Sequence, residues 1–365
     1  METSTTGQLL LTGVPGPELD TDAARLFRAI QPGGFILFGR NIKSPAQLRK
    51  LLDDLRDLSE VEPIITIDQE GGRVSRLRLI GSEPPNAFQL RMKNDAELIR
   101  RHGNITGRLL RLFGFNLDLC PVLDLSFDDE ADNSLKGRCY GATVEEVIRL
   151  AGAFNDALRA EGIASCGKHF PGYAAAKLDP HHELPVIDRT RAELDAEELA
   201  VFRHFAPSVD SMMICHASYP ALDASGTPAS LSRPIVTGLL REEFRGLVMT
   251  DDLDMGAILN HYGLDETIRL ALEAGNDLAM ICHRMESLEH AKEVLDGGTP
   301  RGVVDRALER VAAFKERLAP PAAFSEEAFR RLDGEVWDLR VETLGAEAAA
   351  RRSPEDGKRS PVEQY

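Results

Sequence analysis

Disulfide spacing, long apolar runs and an excess of basic charge are all missing from this chain of 365 residues. Its five cysteines (Cys120, Cys139, Cys166, Cys215 and Cys282) are odd in number, widely spaced and mostly set in apolar runs. That usage suits reduced core thiols, not a disulfide framework, and the close Cys pairs of a metal site are absent. No segment approaches the roughly 20 uninterrupted apolar residues a membrane helix needs, and the N-terminal Met-Glu-Thr-Ser-Thr-Thr-Gly lacks the basic patch and apolar stretch of a signal peptide. The expected location is cytoplasmic. Acidic residues outnumber basic ones 59 to 43, for a formal net charge of −16. Such a surface repels nucleic-acid phosphates and anionic membranes, so neither is expected as a partner, and a neutral or locally recognised substrate fits better.

What is present is ample core material: 43% of the residues are hydrophobic and 28% charged, the composition of a globular enzyme. Short apolar runs recur at Gln8 to Val14, Gly34 to Phe38, Pro63 to Asp68, Asn116 to Asp124, Ala164 to Phe170, Ser211 to His216, Gly246 to Asp251 and Asp277 to Cys282. Between most of them lie segments of helical period, such as Pro45 to Leu58, Ala96 to Leu112, Val144 to Glu161, Arg191 to Phe205 and Leu264 to Ala274. Strands alternating with helices imply parallel pairing, and eight such units predict an α/β fold, a closed (β/α)8 TIM barrel. The barrel is expected over 1–319 as one domain, a helical C-terminal extension over 320–350 with its helix from Ser325 to about Arg340, and a disordered polar tail over 351–365. No internal repeat of solenoid period is present.

The strand runs end in polar residues: Asp68-Gln69-Glu70, Asp124, Lys168-His169, His216, Asp251-Asp252 and His283. Polar residues begin loops everywhere, but a barrel enzyme assembles its site at this rim, and so many coincidences in register favour one shared pocket.

Three motifs carry chemistry. Asp68-Gln69-Glu70-Gly71-Gly72-Arg73-Val74-Ser75-Arg76 joins a carboxylate to a glycine pair that permits a sharp turn and close substrate approach, with a salt-bridged tight loop as the bland alternative. Lys168-His169-Phe170-Pro171-Gly172 is followed after six residues by Asp179-Pro180-His181-His182. In that segment a carboxylate two residues from an imidazole can orient it for proton transfer near neutrality, while the paired histidines leave a metal site as the lesser possibility. Thr250-Asp251-Asp252-Leu253-Asp254 places acids directly after an apolar strand, where a nucleophilic carboxylate, a divalent-cation site or an acidic helix start would each fit.

Together these segments resemble the signatures of glycoside hydrolase family 3, in its single-domain β-N-acetylhexosaminidase branch, over roughly Gly7 to Leu318. Phe115-Asn116-Leu117-Asp118-Leu119-Cys120-Pro121-Val122-Leu123-Asp124 and Gly137-Arg138-Cys139-Tyr140 support the likeness. Position by position, the resemblance implies Asp251 as nucleophile, His181 as general acid/base and Asp179 as its partner. It places Asp68, Arg76, Arg138, Lys168 and His169 around N-acetylglucosamine in the minus-one subsite. It further implies a retaining exo-β-N-acetylglucosaminidase passing through a covalent glycosyl-enzyme, with no metal and no organic cofactor. The substrate expected is a small chitooligosaccharide or muropeptide cell-wall fragment, and the protein is expected to be a monomer or weak homodimer.

Two departures from the family pattern stand out. Tyr173-Ala174-Ala175-Ala176 follows Gly172 where His-Gly and a polar pair are usual, and Pro180 sits where serine is usual, restricting the backbone of Asp179. Three alternatives stay open: phosphorolysis, since a histidine acid/base repels phosphate less than a second carboxylate would; a metal-dependent hydrolase using His181, His182, Asp251 and Asp252; and a catalytically retired sugar-binding barrel.

Overall fold

The apolar runs form strands because both faces are covered, by helices outside and by packed side chains inside the barrel. The computed structural model describes residues 5–131, 133–176 and 182–353. Eight of its strands run parallel: β1 (Leu10–Gly13), β2 (Gly34–Leu37), β3 (Ile64–Ile67), β6 (Leu117–Asp118), β7 (Ala164–Phe170), β8 (Ser211–Ile214), β9 (Leu247–Asp252) and β10 (Leu278–Ile281). The pairs β1–β2 and β1–β10 close them into a barrel, with Leu11 opposite Gly34 and Leu10 opposite Ala279. Gly34 is required by close approach, since a Cβ there would lie 2.5 Å from the Ile64 carbonyl oxygen.

Beyond β3 the chain folds back as an antiparallel hairpin of β4 (Gln69–Gly71) and β5 (Val74–Ser75). Gly71 at φ 121° and Gly72 at φ 56° make its turn, conformations that glycine tolerates best. This hairpin stands where the sequence suggested only a tight loop.

Two expectations need correction. The run Asn116 to Asp124 pairs regularly only over β6, because Pro121 has no N–H to give a ladder. Beyond it the chain still follows β7 through single bonds, with Val122 bridged to Lys168 and the Lys168 amide donating to the Pro121 carbonyl at 3.2 Å. The stretch Arg191 to Phe205 is two helices, Arg191–Ala196 and Glu198–Phe205, broken at Glu197 with φ −118° and ψ −87°. Leu194, Leu199, Phe202 and Phe205 are all buried across the break, so the apolar period runs on although the hydrogen bonding does not.

After the barrel, Ser325 caps the helix Glu326–Leu344 through its side chain. That helix lies along Ala96–Phe113, with Phe113 and Phe329 rings 5.6 Å apart and Arg108 paired to Glu335 at 2.6 Å. The tail expected to be disordered lies outside the described residues beyond Ser353. All five cysteines are buried free thiols. Among the described residues no helix is long and apolar enough to cross a membrane.

Candidate active site

The strand ends deliver their polar side chains to one cavity at the C-terminal mouth of the barrel. Asp68, Arg73, Ser134, Arg138, Lys168, His169, Tyr173, Asp251, Asp252, Asp254 and His283 line it, with Phe38, Met213 and Met280 as apolar wall. Five of the sequence-selected residues (Asp68, Arg138, Lys168, His169 and Asp251) therefore converge from four separate segments. Asp179 and His181, selected as the acid/base pair, lie outside the described residues. Arg76 is brought near but not to the wall. It is buried, its Nη2 is 3.6 Å from Asp68 Oδ2, and its guanidinium sits 5.9 Å from the Phe38 ring centre.

The cationic side of the cavity is a buried charge network. Lys168 Nζ donates to Asp68 Oδ1 and reaches Glu70 Oε1, both at 2.7 Å. Arg138 grips Glu70 as a fork, Nε to Oε2 at 2.8 Å and Nη2 to Oε1 at 2.7 Å, the geometry that makes guanidinium–carboxylate pairs strong. Burial alone would raise the Glu70 carboxyl, but the Arg138 and Lys168 charges overcome it and hold it well below the usual carboxylate range. Burial likewise opposes the charge on Lys168, and Asp68 and Glu70 overcome that penalty and push its pKa up. Glu70, Lys168 and Arg138 are thus ionised at neutral pH, and Asp68, Lys168 and Arg138, which face the cavity, present fixed donors and acceptors to a hydroxylated ligand. Glu70 was not selected from the sequence as a site residue. Its place in the polar cluster Asp68-Gln69-Glu70 at a strand end, beside the glycine turn, was the available signal.

A second cluster orients the ring of His169. Asp124 Oδ2 lies 2.7 Å from His169 Nδ1 and also accepts from the His169 amide at 3.1 Å, while Oδ1 accepts from the Tyr173 amide at 2.9 Å. The bond between Nδ1 and Asp124 Oδ2 fixes the orientation of the imidazole ring. Tyr173, the first of the departures noted above, packs edge-on to His169 at 4.7 Å and lies 3.3 Å from Ser134 Oγ. It belongs to the wall of the cavity, a role its altered motif did not announce.

On the opposite side β9 ends in Thr250-Asp251-Asp252. Asp251 is half-buried, and its Oδ1 accepts the Asp252 amide at 2.8 Å. Behind it the buried ring of His216 donates from Nε2 to the Asp252 carbonyl at 2.9 Å, and Nδ1 accepts from Ser230 Oγ at 2.8 Å. Burial lowers the pKa of His216, so a neutral imidazole fixes the backbone that carries both acids. Asp252 meets His283 Nε2 at 3.2 Å, and Asp254 receives Arg284 Nε and the amides of His283 and Arg284. Asp252 and Asp254 are thereby tied into the strand-end structure. Among the described residues no group of three or more His, Cys, Asp or Glu is placed to hold a metal ion.

Paired cations and carboxylates at the mouth of a barrel, with apolar walls and a strand-end aspartate, form an enzyme site suited to a hydroxylated substrate. The glycosyl hydrolase family 3 N terminal domain matches residues 3–314, and the chain belongs to that family. A β-hexosaminidase from Vibrio cholerae serotype O1 is 36% identical over 325 residues, 88% of this chain and 92% of its own. Another, from Thiobacillus denitrificans, is 34% identical over 305 residues, 81% of this chain and 84% of its own. Among solved structures, a glycoside hydrolase family 3 β-N-acetylglucosaminidase from Paenibacillus sp. superposes with a TM-score of 0.86 at 34% identity, covering 93% of this chain and 68% of that one.

Proposed function

We propose that this glycoside hydrolase removes terminal, non-reducing β-linked N-acetylglucosamine with retention of configuration. The observation that carries this reading is the gathering of Asp68, Arg138, Lys168, His169 and Asp251 into one cavity, in a chain similar to β-hexosaminidases. Asp251 attacks the anomeric carbon from the end of β9 and forms a glycosyl-enzyme, while His181, oriented by Asp179, protonates the leaving oxygen. Water deprotonated by the then neutral His181 releases the sugar. Asp68 and Lys168 offer an acceptor and a donor to neighbouring sugar hydroxyls, Arg138 and His169 complete the subsite, and Arg76 acts through Asp68. Such preset donors contribute by positioning and by stabilising the charge that develops in the transition state. No cofactor is needed for these steps. Chitooligosaccharides or muropeptide fragments suit a cavity lined by fixed donors and acceptors, and the five buried thiols suit a reducing, cytoplasmic setting.

The test is release of p-nitrophenol from its β-N-acetylglucosaminide and β-glucoside by wild type, Asp251→Ala and His181→Ala. The expected outcome is preference for the N-acetylglucosaminide and a loss in Asp251→Ala of about 1,000-fold or more, the scale lost when a catalytic group is removed. Product formed with inverted configuration, or full activity in Asp251→Ala, would overturn the mechanism, and sugar 1-phosphate as product in phosphate buffer would make the enzyme a phosphorylase.

A further inference from the structure

The C-terminal extension reaches back to the substrate hairpin through a buried carboxylate that the reaction does not use. Glu83 stands on the loop that follows the β4–β5 hairpin, and it is 3% exposed. Three side chains neutralise and bind it. Arg78, from the same loop, donates to Oε2 at 3.1 Å. Arg340, from the helix Glu326–Leu344, donates from Nη1 to Glu83 Oε1 at 3.0 Å and to the Glu83 carbonyl at 2.9 Å. Ser353, past the end of that helix, donates from Oγ to Oε1 at 2.7 Å and from its amide to both oxygens. Arg340 is itself 3% exposed, and it also binds the carbonyls of Ala349 and Arg351, so it fastens the chain end and the loop together. Two helical turns away Asp333 accepts the amide and hydroxyl of Ser82.

The loop so fastened touches both elements that present cations and carboxylates to the cavity. The Gly72 amide donates to the Pro84 carbonyl at 2.9 Å, and a Cβ at Gly71 would fall 2.3 Å from the Pro85 carbonyl oxygen, so loop and hairpin turn are in contact with no side chain between. The Phe88 amide donates to the Gly137 carbonyl at 3.2 Å, immediately before Arg138. Asn86 packs against both Gly72 and Gly137. Moving residues 82–88 therefore moves Glu70 and Arg138 relative to Lys168.

We propose that Arg340 is a positioning residue for the minus-one subsite: with Ser353 it locks Glu83, and through the 82–88 loop it sets the geometry of the β4–β5 hairpin and of Arg138. The inference rests on the proposed N-acetylglucosaminidase reading for its kinetic consequence, though not for its structural one. A buried charge stripped of one partner is costly, so the loop yields in preference to leaving Glu83 half-neutralised.

The experiment uses the full chain and compares wild type, Arg340→Met, Arg340→Lys, Ser353→Ala and Glu335→Gln. The last is a control on the same helix that breaks a barrel contact without touching Glu83. Amide hydrogen exchange is followed over residues 68–88 and 134–140, with kcat and KM for p-nitrophenyl β-N-acetylglucosaminide. Loss of the charged bond to Glu83 Oε1, together with those to the Glu83, Ala349 and Arg351 carbonyls, predicts at least about 10-fold faster exchange in both segments for Arg340→Met, with KM raised about as much and kcat changed less. Lys is expected to restore part of the effect, and Glu335→Gln to leave exchange in both segments unchanged. Should Arg340→Met not fold, Ser353→Ala carries the same readouts at smaller amplitude. Equal exchange in wild type and in the foldable Arg340 or Ser353 variants, or equal loosening by Glu335→Gln, would sink the proposal. Absence of N-acetylglucosaminide turnover in wild type would refute the functional reading instead, and the exchange data would still decide this one.

Discussion

At the scale of single residues, burial decides which charges persist. Lys168, Glu70 and Arg138 stay ionised because each has an opposite charge in contact. His102 has none: it is 1% exposed, both ring nitrogens lack a hydrogen-bond partner, and it packs on Phe154 at 5.2 Å. Burial pushes its pKa down to about 4. The folded protein thus binds its proton less readily than the unfolded chain, so between pH 6.5 and 4 the unfolded state gains protons and stability falls as pH falls. The size of the shift makes this worth about 2 kcal/mol at pH 5 and almost nothing at pH 7.5. Urea unfolding of wild type and His102→Leu at those two values is the check. The difference between the proteins is expected to move in favour of leucine by about that amount at the lower pH, and because Asp118 and Glu198, both pushed up to about 7, are common to both, their own titration cancels. A difference independent of pH would refute the assignment.

At the scale of elements, the hairpin β4–β5 is where backbone geometry and site meet. Gly71 at φ 121° lies outside the region an L side chain adopts readily, and its added Cβ would strike the Pro85 carbonyl. Gly71→Ala is expected to destabilise the fold by about 2 kcal/mol or more, from strain and overlap together, and to weaken sugar binding because Glu70 precedes it directly. Thermal unfolding with KM measurements tests this, and an unchanged KM in a destabilised variant would separate the hairpin from the subsite. The same hairpin illustrates what the sequence could convey. The barrel strands were legible because parallel strands buried on both faces are continuous apolar runs, and Leu264–Ala274 appears with the boundaries its period predicts. A three-residue strand of Gln-Glu-Gly has no such run, so β4 was legible only as a glycine turn. Pro121 and the break at Glu197 altered hydrogen bonding without altering which residues are apolar. In the site, Asp68, Lys168, His169 and Asp251 were marked by their places at strand ends. Arg138 lies in a loop and was found through the family motif alone, while Glu70, Asp124 and Tyr173 act through partners that are remote in sequence, which no local pattern encodes.

At the scale of the molecule, a formal charge of −16 surrounds a cavity whose own wall includes Arg73, Arg138 and Lys168. The two fields act over different ranges. Local cations, already compensated by Asp68 and Glu70, matter on contact, whereas the summed surface charge governs approach and is screened within about 8 Å at physiological ionic strength. A neutral chitooligosaccharide feels neither during diffusion, so its kcat/KM is expected to change by less than about twofold between 20 and 300 mM NaCl. A fragment bearing several carboxylates on its aglycone is repelled on approach, and its kcat/KM is expected to rise severalfold over the same range as salt screens the repulsion. Steady-state assays on one neutral and one polyanionic N-acetylglucosaminide, at matched pH, distinguish the cases. A kcat/KM for the anionic substrate that falls with salt would mean that Arg73 and its neighbours recruit the aglycone directly, placing a charged-group subsite at the rim of the barrel and making anionic cell-wall fragments the better substrates.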